Sequence, residues 1–299
     1  MRTPSDLGGI AAMLAATASF VVCDTFMKLA TEDLPPFEVL FFRGVAASLC
    51  CAILVAFRGE GSAIAGVLNG RVLLRAAAET VGTLCYIVAL AQLPIADVIA
   101  ITQMAPLILI LGAAFLLRER VGSRRVTLVL VGFAGALMVA QPSAAGISPA
   151  TLFAFTTALA IAARDLFGTS VKASIPLTVV TFATILMVMV TAGAMSLAVE
   201  DWVRPTSRHL AFLGASGLFV TFGQAGLLLA YRLGRTTVIA PFFYSFVLWG
   251  VLAGVFVWRV LPNPLSFAGI ALITISGVAI VVLDQRRSRT LVPSAAVTP

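Results

Sequence analysis

Apolar residues run in ten long stretches along this chain, five before a polar break at Gln141–Pro149 and five after it. The stretches cover residues 7–30, 36–57, 71–92, 97–117, 123–141, 149–172, 176–199, 208–232, 237–258 and 264–283. A helix of about twenty apolar residues crosses the roughly 30 Å hydrocarbon core of a bilayer. The pattern therefore predicts an all-α integral membrane protein with ten transmembrane helices. With an odd number of spans in each half, the second half must be upside down relative to the first. The expected organisation is two inverted-topology five-helix repeats, over residues 1–145 and 146–285, followed by a disordered cytoplasmic tail at 286–299. Such twin inverted halves are a mark of secondary transporters.

Composition strengthens the membrane reading. Hydrophobic residues make up 60% of the chain and charged residues 11%, with a mean hydropathy of +1.07. A soluble domain carries about 25% charged residues, so this chain could not cover a water-exposed surface. The net charge of +7 does not indicate nucleic acid, because the basic residues sit in short groups between apolar runs. With the N-terminus in the cytoplasm, fourteen fall on the inner side: Arg2, Arg58, Arg71, Arg75, Arg118, Arg120, Arg124, Arg125, Lys172, Arg232, Arg235, Arg286, Arg287 and Arg289. Only Arg204, Arg208 and Arg259 fall outside, and Lys28, Arg43 and Arg164 lie within spans. The positive-inside rule then puts both termini of a multi-pass membrane protein in the cytoplasm. The first apolar run is too long for a signal-peptide core and reads as a first span.

Metal and cofactor chemistry find little support. The four cysteines, Cys23, Cys50, Cys51 and Cys85, lie in apolar runs without metal-ligand spacing, and His209 is the single histidine. No phosphate loop, nucleophile elbow or paired carboxylates at convincing spacing occur, so neither an enzyme nor an ATP-driven machine is indicated. No cofactor is expected. The expected partners are a small-molecule substrate and the bilayer, and the expected state is a monomer or weak homo-oligomer.

Charges inside hydrocarbon persist where they meet a partner or a wet cavity. Asp24 and Lys28 are four apart, on one face of the first span. Glu38 and Arg43 lie early in the second. Two readings are open: ion pairs holding the first hairpin together, or Asp24, Lys28 and Arg43 facing a cavity to hold a zwitterion. Glu79 in the third span either takes up a proton or pairs with Arg75 at i−4, and Tyr86 shares its face. Arg164 and Asp165 point about 100° apart on a helix, which predicts different partners for each. Asp97 opens the fourth span as a candidate helix cap.

Gln103, Gln224 and Tyr231 are uncharged polar candidates for a cavity wall or for bonds between helices. Phe242, Phe243, Tyr244, Phe246 and Trp249 crowd the ninth span, and helical spacing puts Phe242, Phe246 and Trp249 on one face. They suit either a flat ligand or lipid. Trp202 and Trp258 read as interface anchors. Pro106 and Pro241 are candidate hinges, since proline removes a backbone donor and bends a helix. Gly250 and Gly254 form a GxxxG, a sign of close helix packing.

The halves also resemble each other. A shift of 140 aligns Leu93, Val98 and Ala100 with Leu233, Val238 and Ala240; a shift of 141 aligns Asp24 with Asp165 and Pro35 with Pro176; a shift of 142 aligns Gly135 with Gly277. Together with the odd span count, these point to duplication.

Three stretches carry a family resemblance: FVVCDTFMK at Phe20–Lys28, Phe41-Phe42-Arg43-Gly44, and the run from Tyr86 to Glu119. In these the chain resembles the EamA-type members of the drug/metabolite transporter superfamily. The resemblance implies ten helices in two inverted repeats around a central cavity. It also implies metabolite transport by alternating access, with aromatic amino-acid exporters and S-adenosylmethionine carriers among known members. Length and layout look similar to the aromatic amino-acid exporters. The second half departs from the pattern, with Arg259 where the first closes on Glu119.

Overall fold

The computed structural model describes residues 6–109, 123–141, 147–168, 170–171, 174–233 and 235–290. Among the described residues the apolar helices of eight residues or more are α1 (Asp6–Ala30), α2 (Pro36–Phe57), α3 (Gly70–Gln92), α4 (Ile95–Thr102), α5 (Ser123–Ala140), α6 (Pro149–Gly168), α7 (Leu177–Val199), α8 (Ser207–Leu233), α9 (Ser245–Trp258) and α10 (Pro264–Thr290). Eight stretches are long and apolar enough to cross a membrane: α1, α2, α3, α6, α7, α8, Ala240–Trp258 and Pro264–Leu283. Ile95–Leu109 and Val126–Ala140 are shorter apolar helices. The remainder of the expected fourth span, and Glu119 with it, lies outside the described residues.

Punctuation in the sequence accounts for the helix ends. Pro35, Pro94 and Pro176 stand immediately before α2, α4 and α7, where a missing N–H costs nothing because it would have no partner in the helix. The Asn69 side chain accepts from Arg71 N at 3.1 Å and caps α3. A short 3₁₀ helix, Glu60–Leu68, joins α2 to α3 and lies against α7. It was not foreseen from the sequence. The last helix is longer than expected and takes Arg286, Arg287 and Arg289 into its final turns. Arginine is a good helix former, and cations suit the negative end of a helix dipole. Residues 291–299 lie outside the described part.

The two halves interlock. The most extensive packing pairs α1 with α8, α3 with α6, α5 with α10 and α2 with α7. Next come α2 with α8, α3 with α7, α1 with α9, α4 with α9 and α4 with α6. Replacing each helix by the one five places away maps this set of pairs onto itself. Small residues allow the close approaches. A Cβ on Gly135 of α5 would stand 2.7 Å from the Gly269 carbonyl of α10, and one on Gly250 of α9 would meet Ile99 Cδ1 of α4 at 2.7 Å. Without a hydrophobic force between helices in lipid, such backbone contact is what dispersion needs to hold them together.

Candidate functional site

Four side chains at helical spacing, Thr17, Phe20, Asp24 and Lys28, form a stripe on α1 that faces α9 and α3. Thr17 Oγ1 lies 2.8 Å from Ser245 Oγ at the start of α9. The Phe20 ring meets Phe246 edge-on, with centroids 6.3 Å apart. Asp24, buried to 7% exposure, accepts a 2.7 Å hydrogen bond at Oδ2 from the Tyr86 hydroxyl of α3. Lys28 Nζ donates to the carbonyls of Leu90 at 2.6 Å and Leu93 at 2.7 Å, and it stands over the Trp258 ring at 5.7 Å.

Neither ion pair expected for the first hairpin forms among the described residues. The last carbonyls of a helix have no intrahelical donor, and the long Lys28 stem reaches those of α3. An Asp24–Lys28 pair would have left them bare. Glu38 bonds elsewhere too: its Oε2 accepts from Val203 N at 3.0 Å. Glu200 accepts from the backbone of Phe37 and Glu38 at 2.9 and 3.1 Å, placing negative charge at the positive end of α2. Arg43 makes no ion pair among the described residues, although the Asp24 carboxylate is within its electrostatic reach, and its Nε is buried without an acceptor there.

Two helices are interrupted, and the interruptions meet. α4 gives way to a turn at Gln103–Met104 before resuming towards Leu109. Pro106 is the cause, since its ring crowds the carbonyl four residues back, at Thr102, and disfavours helical backbone just before it. The break stands about 12 Å along α4, roughly midway through a 30 Å core. On the other side, the short helix Thr236–Ile239 and the 3₁₀ turn Ala240–Tyr244 containing Pro241 precede α9. Gln103 Nε2 approaches the Phe243 carbonyl at 3.5 Å.

The 3₁₀ turn changes the phase of the aromatic group. Phe243 lies 6.4 Å from Phe246, whereas Phe242 is 37% exposed and does not share a face with Phe246 and Trp249 as uninterrupted spacing predicted. Tyr244 is buried with its hydroxyl against Gly277 of α10. Trp249 is half-buried and its Nε1 has no acceptor among the described residues.

The opposite end of α3 carries a second cluster. Arg164 Nη1 of α6 meets Glu79 Oε2 at 2.6 Å, and Arg164 Nη2 meets Asp165 Oδ1 at 2.8 Å. Glu79 therefore pairs across helices and not with Arg75, whose Nη1 donates to Thr184 Oγ1 at 3.3 Å. Arg164 and Asp165 share one network despite their angular separation, because the long guanidinium arm bends back to its neighbour. Asp165, exposed and ion-paired, differs in setting from the buried Asp24 with which it aligns. Gln224 and Tyr231 are exposed on α8, and the Asp165 carboxylate is within electrostatic reach of Tyr231.

The sequence reading missed Phe20, Thr17, Ser245 and Glu200. Phe20 was recoverable, being four residues before Asp24. Glu200 sits far along the chain from the helix end it caps and gave no signal. Among the described residues no group of three or more His, Cys, Asp or Glu is placed to hold a metal ion.

Known proteins resemble this chain. Residues 7–141 match the EamA-like transporter family. The chain is 31% identical over 220 residues to a riboflavin transporter of Rhizobium johnstonii, covering 73% of this chain and 72% of that protein. It is 27% identical to the pseudopaline exporter CntI of Pseudomonas aeruginosa, over 91% and 95% of the two chains. It is 25% identical to an S-adenosylmethionine uptake transporter of Rickettsia prowazekii, over 94% and 95%. A solved crystal structure superposes with a TM-score of 0.63 at 20% identity, over 93% of this chain and 98% of the other.

Proposed function

This chain belongs to the EamA-like transporter family, and on that premise we propose that it is a secondary carrier of small organic metabolites. Amino acids, aromatic ones included, are the favoured class, moved outward across the bacterial inner membrane by alternating access. The carrying observation is the meeting of two interrupted helices at Gln103 and Phe243. Broken helices at corresponding positions of two halves supply freed backbone groups for a mid-membrane site.

Other features support the reading. The packing set that maps onto itself under exchange of the halves is what ten helices in two inverted repeats require. Arg43, which makes no ion pair among the described residues, is suited to a substrate carboxylate, and Asp24 with Tyr86 to an ammonium group. Phe20, Phe243, Phe246 and Trp249 offer flat surfaces for a ring. Gln103, Gln224 and Tyr231 serve as polar wall, Glu79 and Asp165 as charges near the opposite mouth, and Pro106 and Pro241 as the hinges. Lys28 acts by fixing the end of α3, and Tyr244 by packing against α10.

A second reading is uptake or exchange of S-adenosylmethionine, riboflavin or another compound with a planar heterocycle. The names of two relatives favour it, and the aromatic group serves it equally. A competition panel on reconstituted protein separates the two. Amino acids that displace a labelled aromatic amino acid, with nucleosides and flavins inert, support the first reading; the reverse order supports the second. Chemical change of the compound during transit would indicate an enzyme and overturn both.

A further inference from the structure

A polar cleft of about 210 Å³ opens between the α3–α4 turn, the end of α5, and the starts of α6 and α10. It adjoins the Lys28 end of the stripe on α1, since Leu93 lines the cleft and accepts from Lys28. Among the described residues Asp97 is the only charged one lining it, and its Oδ1 is buried with no hydrogen-bond partner there. The carboxylate does not cap α4, although it lies in the first turn. Around it the other polar groups are engaged with one another. Gln141 Nε2 donates to Asn263 Oδ1 at 2.8 Å and Ser266 Oγ at 2.9 Å, and Ser148 Oγ lies 2.8 Å from Thr151 Oγ1. Leu93, Ile101 and Val139 supply an apolar wall.

A buried carboxylate oxygen without a donor costs several kcal/mol if ionised, and native proteins rarely leave one so. The cleft has room for much more than a water, which needs about 10–15 Å³. Its sign and shape define the guest. One unpaired negative charge calls for a cation, and the neighbouring hydroxyls are too occupied to close a shell around a bare metal ion. The apolar wall suits an alkyl chain.

We propose that this cleft is a binding subsite for a primary alkylammonium group, with Asp97 taking its charge and N–H donors. It stands at the end of the bundle opposite the start of α1 and the end of α10, where Lys28 caps α3 and Gln141 meets α10. The inference goes beyond the carrier reading: an amine would meet Asp97 on its way into or out of the bundle, but binding itself needs no transport.

The test uses the full chain in lipid nanodiscs, with n-butylammonium chloride as the probe and thermal unfolding as the readout. The expected result is a saturable rise in Tm with n-butylammonium, absent in Asp97→Asn. Choline, which has the charge but no N–H, and sodium should each give less than half that rise. Equal rises with sodium, equal rises with choline, or a rise that survives in Asp97→Asn would each overturn the proposal. Should Asp97→Asn fail to fold, Ala140→Phe, which fills the cleft, replaces it: a weakened n-butylammonium response supports the subsite, an unchanged one contradicts it. Because no transport is measured, a failed carrier reading leaves this result intact, and a failed subsite leaves the carrier reading intact.

Discussion

The Tyr86 hydroxyl donates to Asp24 Oδ2 across 2.7 Å, joining α3 to a buried carboxylate on α1. A hydrogen bond to a charged group contributes about 1.5–3 kcal/mol. Tyr86→Phe should lower thermal stability in detergent by about that amount and weaken substrate affinity roughly tenfold, while Asp24→Asn, which keeps an acceptor for the hydroxyl, should destabilise less and cost more transport. Unfolding curves and transport constants measured on the same preparations check both. Equal transport losses in the two variants would deny Asp24 a role beyond packing.

Lys28 ties the end of α3 through Leu90 and Leu93. Lys28→Met should lower stability by about 1–3 kcal/mol and leave the order of competing substrates unchanged. A changed substrate order with unaltered stability would return Lys28 to the substrate.

The Glu79–Arg164 pair joins α3 to α6, helices from different halves. A carrier that rocks its halves must break and remake such contacts. Glu79→Gln and Arg164→Gln should each change transport rate several-fold with little change in the affinity of binding. The double variant should cost less than the sum of the two, as a double-mutant cycle reads coupled partners. Additive effects would separate the two residues.

Gly250 meets Ile99 across the α4–α9 contact. Gly250→Leu should cost about 1–3 kcal/mol by overpacking, with Gly61→Leu, where a side chain would meet nothing, as the silent control. Melting temperatures of the two variants decide it.

The helices were legible because the bilayer fixes their length and because prolines 35, 94 and 176 mark their starts. The boundaries of α1, α2, α3 and α7 fall within a residue of the apolar runs. Partners of the charges were not legible. Proximity along the chain favoured Asp24–Lys28 and Glu79–Arg75, but in a low-dielectric interior the choice goes to whichever group otherwise lacks a partner, and Arg164 is 85 positions from Glu79. The phase of the aromatic group was lost for a related reason. A uniform 3.6-residue period cannot foresee the 3₁₀ turn around Pro241, which sends Phe242 outward and Phe243 inward.

Counterflow in proteoliposomes tests the carrier reading most directly. Vesicles loaded with unlabelled aromatic amino acid should accumulate the labelled compound transiently and saturably, the trans load should accelerate entry, and Arg43→Ala should abolish the exchange in folded protein. Entry that is indifferent to the internal load, or exchange undiminished in Arg43→Ala, would contradict the account.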